Sequence, residues 1–404
     1  MKLKSINPKL VALVLFVSTA TGIALFPALQ QAQALGTKVT QTTQILPAQS
    51  HRIEVVFVLD TTSSMSGLIQ AAKEKIWSIA TTMASAQENP DIKMGLVAFR
   101  DRGDAYVTRV FDLSDDLDSM YASLMDFRAE GGGDGPESVN QALYDAVHKI
   151  SWSQDSGVYK VAFLVGDAPP HMDYPGEVQY PASLQAAARK GIVVNAIQSG
   201  QQAYTTADWQ QIAALGNGEY FQVENSGNAV AIATPFDKKL SELAASLEDT
   251  RLFYGDDEVK QAQKRKLDAN LKIRKELSSE ALARRDTYNA TVSGKKNLLG
   301  EGELVDAITS GRVELDAIPE EELPASLQAL APAAQMEVIS EQARKRDQLK
   351  QEIEKLSESR SDFIKKKVAA DGGANDSLDE KIYRAVKDQA AAIGLTYDSD
   401  SASY

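Results

Sequence analysis

Asp60-Thr61-Thr62-Ser63-Ser64 places a carboxylate first and hydroxyls two and four positions later. A D-x-T-x-S segment of this kind can fold back around one hard cation, because such ions take oxygen ligands. Two further stretches offer the same chemistry. Gly131-Gly132-Gly133-Asp134-Gly135-Pro136-Glu137-Ser138 combines glycines that permit a tight loop with two carboxylates ahead of a helical pattern. Gly166-Asp167-Ala168-Pro169-Pro170 directly follows an apolar run. Taken singly, each loop has a structural reading: Asp60, Thr62 and Ser64 could cap a helix, and Asp134 or Glu137 could complement a helix dipole. Three such loops in order, each beside a strand, favour a metal site.

Other chemistries find little support. None of the 404 residues is cysteine, which excludes disulfides, thiolate zinc sites, iron–sulfur clusters and a cysteine nucleophile. The three histidines, His51, His148 and His171, are too few for a polyhistidine transition-metal site. His171 lies near the third loop and is the one candidate base, although a surface loop histidine is the favoured reading. Ser63 has no His–Asp arrangement with nucleophile-elbow spacing. Gly131 to Gly133 match neither the dinucleotide fingerprint nor the P-loop, so nucleotide binding has no motif.

The elements that must position these loops alternate. Ile53 to Leu59 is a near-continuous apolar run, as expected for a strand buried on both faces of a parallel sheet. Strands are also predicted at Ile92 to Phe99, Val158 to Val165, Gly191 to Ile197 and Glu219 to Val223. Helices are predicted at Gly67 to Ser85, near Leu117 to Phe127, and at Ser138 to Ile150, Leu184 to Lys190, Thr206 to Leu215 and Ala229 to Leu247. This alternation predicts an α/β fold, a doubly wound and mostly parallel sheet with helices on both faces. Asp60 and Asp167 then stand beyond the carboxyl ends of strands, where such sheets bind ligands.

On these motifs residues His51 to about Leu247 resemble the von Willebrand factor type A family, and the D-x-T-x-S loop resembles its metal-ion-dependent adhesion site. Thr62 stands where serine is commoner. The resemblance implies that Asp60, Thr62, Ser64 and Asp167 are metal ligands, some through water. Asp134-Gly135-Pro136-Glu137 is similar to the D-x-P-E loop of the integrin β-subunit variant, which implies Glu137 as a fifth ligand. Gly95 to Asp101 is similar to an integrin strand ending at a neighbouring calcium. That implies a second site formed by Asp101, Asp134, the Pro136 carbonyl and Glu137. Asp101 is also readable as part of a solvated charged turn with Arg102 and Asp104. Ser66-Gly67 stands where a further flanking site needs acids, so that site is expected to be absent.

From about residue 251 the composition shifts to Lys, Glu, Gln, Ala and Leu, and strand signals vanish. Glu258 to Asn289 and Gln335 to Val368 read as long charged helices. In the second, Ile339, Ala343, Leu349, Ile353, Leu356 and Phe363 form a partial heptad seam interrupted by Arg346 and Arg360. An all-α, partly coiled-coil region with an antiparallel hairpin is expected over 251–404, connected through Pro319 to Pro332. A short amphipathic helix is expected at Leu378 to Ile393. Lys365 to Lys367 reads as a solvated helix face.

The first residues carry Lys2, Lys4 and Lys9, an apolar run from Leu10 to Leu29 and then Ala32-Gln33-Ala34. This is the layout of a signal peptide over 1–34, with an uncleaved anchor as the alternative, followed by a Thr- and Gln-rich linker over 35–50. Without the three leader lysines, 40 basic residues face 56 acidic ones, a net charge of −16. Such a surface disfavours nucleic acid and anionic membranes as partners and suits cation binding.

The expectation is therefore an exported, non-enzymatic protein-binding module of the periplasm or cell surface. It would hold magnesium, or manganese in its place, at the main site and calcium at the adjacent one. The cation would take an acidic side chain of a partner protein, as the family resemblance implies. Two alternatives stay open at this point: a metal-assisted hydrolase using His171, and a structural protein whose helical half oligomerises.

Overall fold

The computed structural model describes residues 51–133, 135–224, 232–370 and 378–399. The expected leader and linker, and Asp134, lie outside the described residues. Among the described residues, no helix is long and apolar enough to cross a membrane.

Six strands form one sheet: β1 (Arg52–Asp60), β2 (Asp91–Phe99), β3 (Thr108–Ser114), β4 (Val158–Gly166), β5 (Ile192–Ser199) and β6 (Asn217–Val223). Their order is β3-β2-β1-β4-β5-β6, parallel throughout except for β3, which runs antiparallel to β2 at one edge. The central strands are buried on both faces; all nine residues of β4 are buried. That is why they read as unbroken apolar runs. No residue of β3 is fully buried, and it left no such run to read.

Helices cover both faces. On one lie α1 (Ser66–Ala84) and α2 (Leu117–Met125), whose Ile76, Trp77, Met83 and Tyr121 join Val55 and Phe163 of the sheet in one apolar cluster. On the other lie α3 (Val139–His148), α4 (Tyr180–Arg189) and α5 (Ala203–Leu215), which bury Leu143, Leu184 and Trp209 against Val56, Val58 and Leu164. The expected doubly wound sheet is present. Because β1 sits between β2 and β4, the connections after β1 and β4 leave toward opposite faces. A crevice opens at their carboxyl ends.

The helical region comprises α6 (Asp237–Glu248), α7 (Asp257–Glu276), α8 (Ser279–Ala290), α9 (Lys295–Leu299), α10 (Leu304–Thr309), α11 (Ala325–Gln328), α12 (Pro332–Ala370) and α13 (Leu378–Ala390). The continuous helix expected over Glu258 to Asn289 is two helices. Ser278 ends the first by capping the second, its Oγ accepting the Ala281 amide at 3.3 Å.

The expected hairpin of long helices is replaced by α12 lying on α6, α8 and α10. Four of its buried residues, Ile339, Arg346, Ile353 and Arg360, recur every seven positions. The two arginines that interrupt the apolar seam are themselves buried, each on a carboxylate from another element. Arg346 meets Glu303 at 2.9 Å, and Arg360 meets Asp237 at 2.8 Å. A seam built on several short elements, with an ion pair at alternate positions, is not a coiled coil.

Residues Ser50–Tyr404 form a single compact unit. Tyr288 of α8, and Ile382, Tyr383 and Val386 of α13, belong to the same apolar cluster as α1 and the sheet. The composition shift near residue 250 therefore does not coincide with a gap in packing.

Candidate metal centre

Asp60 ends β1 and is fully buried. Its Oδ1 accepts the Thr62 amide at 2.8 Å and the Thr62 hydroxyl at 2.7 Å, so the chain turns back on itself within two residues. Thr61 anchors the turn, donating its Oγ1 hydrogen to the Phe99 carbonyl at 2.9 Å. Thr62 Oγ1 stands 3.3 Å from Ser64 Oγ, and Ser64 donates to Asp167 Oδ1 at 3.0 Å. The first and third loops thus meet through Ser64. Gly166 makes room for this approach: a Cβ there would stand 3.1 Å from both Asp60 Cβ and the Trp209 ring.

The glycine loop closes the crevice from the β2 side. Gly132 has φ +77°, and a Cβ on it would stand 3.1 Å from Glu137 Oε1 and 3.2 Å from Thr62 Cβ. Glycine is needed there both for its dihedral and for the space it leaves. Glu137 is held by its backbone, its amide donating to the Pro169 carbonyl at 2.9 Å and its carbonyl accepting from the His171 amide at 3.1 Å. Asp60, Glu137 and Asp167 come from three separated stretches and are 0%, 3% and 5% exposed.

Concentrated negative charge is the electrostatic character of this crevice. Burial pushes the Asp60 carboxyl up to about 7, against the Thr62 hydrogen bonds that lower it, and Asp167 adds to the rise. Glu137 is pushed up to about 9 by burial and by Asp60, Asp101, Asp104 and Asp167. Asp167 is raised by burial, opposed by its bond from Ser64. Asp60 Oδ2 and Glu137 Oε2 are buried without a hydrogen-bond partner. Two orphaned carboxylate oxygens, a third carboxylate and two hydroxyls form a hard-oxygen set that suits a divalent cation. No three His, Asp or Glu side chains among the described residues converge as tightly as a ready-made cluster would. The hydroxyls of Thr62 and Ser64 complete the set.

Asp101, expected at the adjacent site, is held among hydrogen-bonding neighbours. Its Oδ1 accepts from Ser138 Oγ at 2.8 Å, its Oδ2 from the Tyr174 hydroxyl at 2.6 Å, and His171 Nε2 lies 3.4 Å from that Oδ2. Of the expected adjacent set, Asp101, Pro136 and Glu137 are described and Asp134 is not. His171 is 5% exposed, stacks on Tyr174 at 4.0 Å and bonds Asp173 through Nδ1 at 2.8 Å. It stands beside Asp101 and is largely closed off from solvent.

Two residues that shape the site left no clear sequence signal. Asp104 Oδ2 accepts the amides of Gly132 at 3.0 Å and Asp101 at 3.2 Å, tying the glycine loop to the end of β2. Thr205, at the start of α5, donates to the Asp167 carbonyl at 3.1 Å. Only the Asp101-to-Asp104 spacing of a tight acidic turn could have pointed to the first.

Residues 54–229 match the model of the von Willebrand factor A domain, and this stretch of the chain is such a domain. One curated relative, the alpha-protein kinase vwkA of Dictyostelium discoideum, is 27% identical over 124 residues. Those residues are 30% of this chain and 19% of the relative, so the chain spans about a fifth of that protein's length. Among solved structures, proximal thread matrix protein 1 from the mussel byssus aligns at a TM-score of 0.34 and 18% identity, over 44% of this chain and 42% of that one. Another structure of it has a zinc-occupied MIDAS motif. The SpRpn10 VWA domain aligns at 0.34 and 12% identity, over 45% of this chain and 90% of its own. Likenesses this remote add nothing to what the sheet itself shows.

Proposed function

We propose that this protein is an exported protein-interaction module whose A domain holds a divalent cation, magnesium or manganese, through Asp60, Thr62, Ser64, Glu137 and Asp167. The observation that carries the reading is the pair of buried, unpartnered oxygens, Asp60 Oδ2 and Glu137 Oε2. A buried carboxylate is costly unless paired with positive charge, and no basic side chain is bonded to either of these. A bound cation would supply that charge and present a positive centre at the mouth of the crevice, the complement of an acidic side chain on a partner protein. Export rests on the leader-like residues 1–34.

Isothermal titration of magnesium and manganese into the chelator-treated full chain tests it. Saturable binding near one equivalent is expected, and Asp60→Ala and Asp167→Ala should each abolish it. Wild-type protein that takes up neither ion would overturn the reading.

A further inference from the structure

Arg100 is the first residue beyond β2, at the crevice end of the sheet, and is 5% exposed. The β1–β2 register pairs Asp60 with Phe99, so Arg100 follows the residue beside the first proposed ligand. Its carbonyl accepts the Ser138 amide at 3.3 Å, next to Glu137. Two contacts fix the side chain. Nη2 donates to the Arg128 carbonyl at 2.8 Å, and the guanidinium lies 4.6 Å from the centre of the Tyr106 ring. The Tyr106 hydroxyl in turn meets Thr61 Oγ1 at 2.6 Å, beside Asp60.

Neither a carbonyl nor a ring face carries a full charge, so these contacts leave the guanidinium largely uncompensated. The one carboxylate that pairs with it among the described residues is Glu130, at 3.8 Å and 62% exposed. A pair that loose and that wet is worth little. Arg100 Nε is buried without a hydrogen-bond partner. A buried positive charge in this position acts on charges further off, because the protein interior screens it weakly. Asp60 registers it: burial raises that carboxyl, while the Thr62 hydrogen bonds and the Arg100 charge lower it.

We propose that Arg100 is a built-in counter-charge of the metal centre, one that offsets the crowded carboxylates before a cation binds and opposes the cation afterwards. The affinity of the crevice is thereby held down, and binding stays reversible. This rests on the reading of the crevice as a cation site.

The test uses the full chain with Arg100→Gln, which removes the charge, and Arg100→Lys, which keeps it but loses the planar fork. In calorimetric titration with magnesium, Arg100→Gln should bind about tenfold more tightly than wild type, and Arg100→Lys within about threefold of it. A residue that only braced the loop would make both variants weaker binders. Thermal melting at pH 8 in EDTA gives a second readout that needs no metal. There Arg100→Gln should lower the melting temperature by several degrees more in the wild-type background than in Asp60→Asn, which has lost the carboxylate it couples to. Unchanged or weaker magnesium affinity in Arg100→Gln overturns the proposal, and so does an equal cost in both backgrounds. Should Arg100→Gln fail to fold, a loss of about tenfold in Arg100→Lys overturns it equally. Wild-type protein that takes up neither magnesium nor manganese overturns the cation reading and this proposal with it, whereas failure of the proposal alone shows only in the variants.

Discussion

Arg285 meets Asp118 edge to edge, Nε to Oδ1 at 2.6 Å and Nη2 to Oδ2 at 2.7 Å, with neither side chain exposed. Asp118 lies in α2 against the sheet, and Arg285 lies in α8 of the helical region. Burial pushes the Asp118 carboxyl up, but Arg285 more than offsets this and holds it below the usual carboxylate range. Glu248 meets the same guanidinium at 2.9 Å. The two compositional halves are therefore joined by a bidentate, fully desolvated ion pair.

Removing one partner leaves the other charged and buried. Arg285→Met should destabilise the chain by about 3–5 kcal/mol in urea unfolding. The double variant Asp118→Leu with Arg285→Met should recover much of that loss. Equal stability of Arg285→Met and wild type would show that the pair does not hold the halves together.

The shared core makes a prediction about truncation. A chain ending at Glu248 lacks Tyr288, which packs on Trp77 at 5.9 Å, and the α13 residues Ile382, Tyr383 and Val386. It should melt broadly and bind a hydrophobic dye. A sharp, cooperative melt would instead make the composition boundary near residue 250 a folding boundary.

Asp286 is fully buried beside Arg285 and is pushed up to about 7, chiefly by burial. A carboxyl raised above its unfolded value contributes stability that is full at low pH. That contribution is lost as pH climbs from about 4 through 7. Asp286→Asn should therefore gain stability relative to wild type across that window, by about 1.4 kcal/mol for each pH unit that separates folded from unfolded titration. Parallel pH profiles for the two proteins would contradict this.

The same sign applies to Asp60, whose carboxyl is also raised to about 7. At pH 8 in EDTA, Asp60→Asn should melt above wild type, because it removes a charge that burial disfavours. Saturating magnesium should raise the melting temperature of wild type and leave that of the variant unchanged. A ligand at a hundredfold its dissociation constant adds about 2.7 kcal/mol to wild type and nothing to a variant that cannot bind it. A variant that keeps the magnesium shift would remove Asp60 from the site.

Gly132→Ala addresses the glycine loop. At φ +77° a Cβ is strained, and it would press on Glu137 Oε1 and Thr62. A loss of about 1–3 kcal/mol is expected, with weaker magnesium affinity. A neutral effect on both would mean that the loop does not set Glu137.

The amino-acid sequence alone determined the alternating elements, the doubly wound sheet and three of the loops at its crevice. Buried parallel strands are written as local apolar runs, and D-x-T-x-S folds back within five residues. What the tertiary structure decided depends on groups far apart in the chain. Arg285 finds Asp118 at a separation of 167 residues, and Arg360 finds Asp237 at 123. An arginine in a heptad reads as an interruption until the carboxylate beside it is known. The hydrogen bonds that hold Asp101 come from Ser138 and Tyr174, 37 and 73 residues further along. The edge strand β3, half-buried along its length, had no apolar signature to show. Periodicity reports which face of an element is buried, whereas the charge, hydrogen bonds and neighbours that meet that face arise only when the chain closes on itself.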